Sequence, residues 1–111
     1  MPFRAFPYQF FTMALLYAAT WVNIKVPRSS IDFEHFGKEI PIANVRKGDI
    51  LLFLSPTRNE IGHVGIVSNP KGMESDFIHA SSGGSMKVII SSLTTKGYTK
   101  RFVKAISVLN R

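Results

Sequence analysis

Two histidines are spaced for proton-transfer chemistry: His63, within Ile61-Gly62-His63-Val64-Gly65-Ile66-Val67, and His79, near the end of Ser75-Asp76-Phe77-Ile78-His79-Ala80. Both runs read as strands, and the second histidine, sixteen positions after the first, suits the return arm of a hairpin. Two imidazoles on neighbouring strands can serve as a base and the partner that orients it. Glycine in a strand removes a side chain and lets a ligand or another backbone approach. Gly62 and Gly65 are therefore expected to leave the His63 ring open to a groove. Against this stands a plainer reading, in which a strand histidine is simply half-buried and hydrogen-bonded; periodicity alone favours it.

Composition removes several other chemistries. The 111 residues contain no cysteine, so they hold no disulfide, no thiolate metal site and no thiol nucleophile. A metal site built from the three histidines with Asp49 or Asp76 lacks the i, i+4 spacing and acidic context that zinc favours, so no metal or cofactor is expected. His35 reads as a surface residue without a role. The net charge of +7 comes from lysines and arginines scattered in ones and twos. Without a basic run interleaved with aromatics, a nucleic-acid partner is not expected; attraction to an anionic polymer such as a cell wall is as far as charge goes.

The elements that must position the histidines follow from pattern. Length and a 45% hydrophobic composition with 9 Phe fit one domain over residues 1–111, expected to be a monomer. Residues 10–22 are apolar nearly all round, which predicts a central helix ending before Pro27. The apolar run is shorter than the roughly 20 residues of a membrane span, and Leu16-Tyr17-Ala18-Ala19 make a poor signal-cleavage region, so a buried helix is expected instead. Ser29 or Ser30 is expected to cap a short helix that Gly37 stops. Residues 41–47 read as a connector, with Asp49 serving the turn into a continuously apolar strand over 50–54, covered on both faces. Asn69-Pro70-Lys71-Gly72 marks the turn between the histidine strands, residues 81–85 a flexible turn, 86–91 a strand, 92–100 a loop and 101–109 a last strand. The sum is an α+β chain, an N-terminal helix packed on an antiparallel sheet of about five strands.

Five segments in order carry a resemblance: Pro27-Arg28-Ser29-Ser30; Val45-Arg46-Lys47-Gly48-Asp49-Ile50-Leu51-Leu52-Phe53; Gly62-His63-Val64-Gly65-Ile66; Ile78-His79-Ala80-Ser81-Ser82; and Tyr98-Thr99-Lys100-Arg101-Phe102. From about Thr12 onward the chain resembles the NlpC family of cell-wall endopeptidases, a branch of the papain-like cysteine peptidases. The resemblance implies a papain-like core in which a cysteine at the N-terminus of the central helix attacks an amide. By the same resemblance His63 matches the general base and His79 the polar residue that orients its ring. Such enzymes cut peptidoglycan stem peptides between γ-D-glutamate and diaminopimelate or lysine, in the cell envelope or outside the cell. Arg28, Ser29 and Ser81 are candidate groove residues for an acidic stem peptide; in the plainer reading Ser29 is a cap, Arg28 a surface charge and Ser81 part of a turn.

The departure from the family lies at the nucleophile. With residues 11–13 kept in phase with the family's Asp-Cys-Ser-Gly opening, the cysteine position falls on Tyr8; counted back from Pro27 it falls on Phe11. A phenol with a pKa near ~10 is a poor nucleophile toward an amide, and a phenyl ring is none. Either the chain is a degenerate member that keeps a binding groove, or residues 1–10 are atypical or truncated and do not represent the family's N-terminus. Three function classes stay open: an active hydrolase, a peptidoglycan-binding module without turnover, and a structural or partner-binding protein.

Overall fold

The computed structural model of the chain describes residues 30–80 and 88–108. The predicted helix over 10–22, both candidate cysteine positions Tyr8 and Phe11, and Arg28, Ser29 and Ser81 lie outside the described residues. Strands β1 (Lys38–Ile40), β2 (Ile50–Leu54), β3 (Ile61–Asn69), β4 (Asp76–Ala80), β5 (Val88–Ser92) and β6 (Phe102–Ser107) form one sheet in the order β1-β6-β2-β3-β4-β5. Every neighbouring pair is antiparallel.

The centre of the sheet follows from the apolar run of β2. Ile50, Leu51, Leu52 and Phe53 are all fully buried, which places β2 between two covered faces. Successive side chains point to opposite faces, so Ile50 and Leu52 join Phe33, Ile61, Val64, Ala80 and Ile106 in one cluster. Leu51 and Phe53 join Val45, Val67, Phe77, Leu93 and Ala105 in the other, with Tyr98 and Phe102 packed against it. Burying each Val, Leu, Ile or Phe side chain among these contributes about 1.5–3 kcal/mol. Among the described residues no helix is long and apolar enough to cross a membrane.

Three expectations need correction. The described sheet has six strands, not about five. The extra one, β1, is a charged edge strand paired with β6, and Lys38-Glu39 gave it no apolar signal. The segment read as a loop over 92–100 contains a helix, Lys96–Arg101. Six residues with a glycine among them carry little helical propensity of their own; packing of the Tyr98 ring edge-on to Phe53, at a centroid distance of 5.6 Å, holds the helix down. The short helix expected after Ser30 is a single 3-10 turn, Ser30–Phe33.

Turn chemistry fared better. The Arg46 backbone N–H donates to Asp49 Oδ2 at 2.7 Å, tying the turn that launches β2. Between β3 and β4, Gly72 takes a positive φ of 55°, the Lys71 N–H donates to Ser75 Oγ at 2.7 Å, and the Ser75 hydroxyl donates to the Gly72 carbonyl at 2.7 Å.

A bulge interrupts the sheet just before His63. The pairing passes from Phe53↔His63 to Leu54↔Ile61, so Gly62 is the extra residue on β3. A Cβ on Gly62 would lie 2.6 Å from Ser55 Cβ and 2.9 Å from Ser55 Cα. Gly62→Ala is therefore expected to lower stability by about 1–3 kcal/mol, the usual cost of overpacking, in urea denaturation. An unchanged midpoint would mean that the bulge yields without strain.

Candidate functional site

Strand parity brings the histidines to one face. Ile66 pairs with Ile78 and Val67 with Phe77, so His63 and Val67 share a face with Phe77 and His79. On β5, Ile89 pairs with His79 and Ser91 with Phe77, which adds Ser91 to that face. His63 Nε2 and His79 Nδ1 share a hydrogen bond of 2.8 Å, and His79 Nε2 and Ser91 Oγ another of 2.7 Å. Three polar side chains from three adjacent strands thus form one line. The nitrogen of His63 that this line leaves over is Nδ1.

Aromatic rings enclose the line. Tyr98 lies parallel to His63 with centroids 6.3 Å apart and meets His79 edge-on at 5.1 Å. Phe53 and Phe77 pack beside them, Phe53 at 6.0 Å from the His63 ring and Phe77 at 4.8 Å from His79. The Arg101 guanidinium covers the outer face of this group, 5.2 Å from the Tyr98 centroid, and its Nη1 donates to the Leu54 carbonyl at 3.4 Å. A cation over a phenol ring is an attractive arrangement.

The glycines beside His63 do not open a groove as the sequence suggested. Ser55 occupies the space at Gly62, and at Gly65 a Cβ would meet the Phe77 ring at 2.5 Å. His63 is only 8% exposed and His79 fully buried. The missing side chains serve close packing inside the protein.

Burial shapes the electrostatics. His63 is lowered from 6.5 to about 4, first by desolvation, then by the neighbouring His79 and by Arg101. His79 is also lowered from 6.5 to about 4, chiefly by desolvation; a hydrogen bond at the Ala80 backbone opposes this and Arg101 adds to it. Both rings are therefore neutral at neutral pH. A neutral imidazole with one nitrogen held and the other bare can accept a proton from an attacking group.

The structure brings together His63 and His79 among the residues singled out in the sequence. Exposed His35 lies 3.9 Å from Glu34 and bonds to neither of these histidines. Among the described residues no group of three His, Cys, Asp or Glu is arranged to hold a metal. Ser91, Tyr98 and Arg101 had no role in the sequence reading. Ser91 was legible in principle, as a polar residue in phase with Ile89 on an apolar strand. Tyr98 and Arg101 stand at the i, i+3 spacing of helix neighbours, but their segment did not read as a helix.

Comparison with known proteins supplies a context for this geometry. A family model described as the NlpC/P60 family matches residues 11–107. The chain is 35% identical over 89 residues to the murein DD-endopeptidase MepS/murein LD-carboxypeptidase of Escherichia coli, an alignment covering 80% of this chain and 43% of that protein. It is 30% identical over 80 residues to a probable endopeptidase of Haemophilus influenzae, covering 72% of this chain and 46% of the relative. The chain thus spans less than half the length of these relatives. Its fold is similar to a crystal structure of an NlpC/P60 family protein from Bacillus cereus, with a TM-score of 0.66, 24% identity, and coverage of 78% of this chain and 27% of that one. A second, described as similar to lipoprotein, NLP/P60 family, from Staphylococcus aureus, gives a TM-score of 0.69 at 22% identity, over 87% of this chain and 31% of the other.

The lowered pKa values make stability pH-dependent. Between about 4 and 6.5 the unfolded chain binds protons that the folded chain refuses, so stability rises with pH across this window and is lost as pH falls from 6.5 toward 4. Urea midpoints measured across the window are expected to show that slope, and proton NMR titration of the ring carbons to show both histidines protonating well below 6.5. In Arg101→Leu both titrations are expected to move upward yet stay below 6.5, because burial is the larger cause; full recovery of 6.5 would make the cation dominant.

Proposed function

The chain belongs to the NlpC/P60 family, and from that premise we propose that it is a peptidoglycan-directed papain-like scaffold. It keeps the base side of a cysteine-peptidase site but lacks the nucleophile. The single observation that carries this reading is the His63–His79 hydrogen bond of 2.8 Å in a sequence with 0 Cys. Relatives named as a murein endopeptidase and a probable endopeptidase support a stem peptide as the ligand. They also support the cell envelope as the place of action, and a net charge of +7 favours an anionic wall.

In the proposed mechanism His63 is the general base, acting through Nδ1, and His79 holds its ring by the bond to Nε2. A thiol within hydrogen-bond reach of Nδ1 would pass its proton to His63 as its sulfur attacked the amide carbon; the imidazolium would then return the proton to the leaving amine. At the family's cysteine position stands Tyr8, or Phe11 in the other register. A phenol with a pKa near ~10 does not replace a thiol in this step. The 111 residues as written are therefore proposed to bind stem peptide without turnover, with Arg28, Ser29 and Ser81 as candidate groove residues.

Incubation with a γ-D-glutamyl-diaminopimelate stem peptide, followed by mass spectrometry, tests this reading. The unaltered chain is expected to leave the peptide intact while binding it in calorimetry. Tyr8→Cys is expected to gain cleavage, and His63→Ala in that background to lose it by a factor of about 10²–10⁴, the usual contribution of a general base. Cleavage by the unaltered chain would show that another group attacks; silence from Tyr8→Cys together with no binding would favour a structural or partner-binding role.

A further inference from the structure

We infer that Ser91 is a positioning residue that sets the proton order of the histidine pair. Its hydroxyl oxygen accepts the Nε2–H of His79, which leaves His79 Nδ1 bare, makes His63 Nε2 the donor between the rings, and leaves His63 Nδ1 bare. The inference deepens the proposed function and rests on it in one respect, that Nδ1 is the nitrogen facing a nucleophile.

A neutral imidazole carries one N–H and one bare nitrogen. With bonds of 2.7 Å from Ser91 Oγ to His79 Nε2 and 2.8 Å from His79 Nδ1 to His63 Nε2, only two orders satisfy both contacts. In one, each ring donates through Nε2 toward Ser91. In the other, the Ser91 hydroxyl donates to His79 Nε2, His79 Nδ1–H donates to His63 Nε2, and His63 carries its proton on Nδ1, where it is useless as a base. Neutral imidazole ordinarily favours the Nε2–H tautomer, so the first order keeps both rings in their preferred form and the second keeps neither.

Only a group that accepts at the far end can hold the first order. Ser91 is that group: His79 is fully buried, and among the described residues Ser91 is the side chain bonded to its Nε2, beside the backbone contact of the ring with Ala80. The tyrosine, phenylalanine and arginine around the pair supply faces and charge, but among the described residues they make no hydrogen bond to either ring. Removal of the Ser91 oxygen would free His79 to turn its proton to Nδ1, and His63 would have to follow.

The test is long-range proton–nitrogen NMR correlation of the imidazole rings in the full chain at neutral pH, which distinguishes protonated from bare ring nitrogens without substrate or turnover. In the unaltered chain both histidines are expected as Nε2–H tautomers. In Ser91→Ala the Nε2–H signature of His79 is expected to be lost to a tautomer mixture, with His63 changing in parallel, and Ser91→Thr to restore both. Nδ1–H on His79 in the unaltered chain, or unchanged tautomers in Ser91→Ala, would overturn the inference. Should Ser91→Ala fail to fold, Ser91→Cys, of similar size with a much weaker acceptor, is expected to lose the Nε2–H signature of His79 in part, and unchanged tautomers there would overturn the inference equally. A silent peptide assay with the expected tautomers would instead sink the hydrolase scaffold and leave the role of Ser91 standing.

Discussion

The register of β3 is the constraint on which the rest of the described structure depends. A shift of one residue in a strand turns every side chain to the opposite face. With Phe53 facing His63 and Val67 facing Phe77, His63 lies on the aromatic side of the sheet while Val64 fills the other core. A slip would put an imidazole among Phe33, Ile50 and Ile106 and strand His79 without a partner. Several features hold the register. The bulge at Gly62 absorbs one residue between Leu54 and His63, the Ser75 turn fixes the start of β4, and β2 supplies buried apolar side chains to both layers.

The polar line at the site is viable because both of its internal contacts are made. A buried polar group without a partner is costly, of the order of 1–3 kcal/mol, and both rings here are buried with each bonded nitrogen at ordinary hydrogen-bond length. Among the described residues no buried side-chain nitrogen or oxygen lacks a partner. Desolvation and the nearby Arg101 act in the same direction, against protonation. The fold therefore holds two neutral imidazoles close together with no carboxylate between them, and it does so on regular strands. A pair supported by strands is better fixed than one on loops.

Much of this was legible in the sequence, and the reasons are local. β2 read as a strand because five consecutive apolar residues between turns admit few alternatives, and the β3–β4 hairpin read from Asn69-Pro70-Lys71-Gly72. The pairing of His63 with His79 followed from their separation of sixteen positions and that turn. What stayed hidden depends on tertiary contact. β1 has an edge-strand composition and is held by β6; the helix Lys96–Arg101 is held by the ring of Tyr98; and Ser91 acquires meaning only once β5 is laid beside β4. The glycines were misread for the same reason. Sequence shows that a side chain is missing, but only the fold shows what fills its place.

Close packing at Gly65 constrains how such a site tolerates substitution. The Phe77 ring sits where a side chain on Gly65 would be, fully buried and 4.8 Å from the His79 ring. Enlarging position 65 first forces the ring against the histidine, while shrinking position 77 first leaves a void beside it, and each step alone is harmful. The two positions are thus epistatic: a lineage can cross between alternative pairs only by passing through a weakened intermediate. That barrier arises from packing, so it does not depend on whether the site turns over substrate.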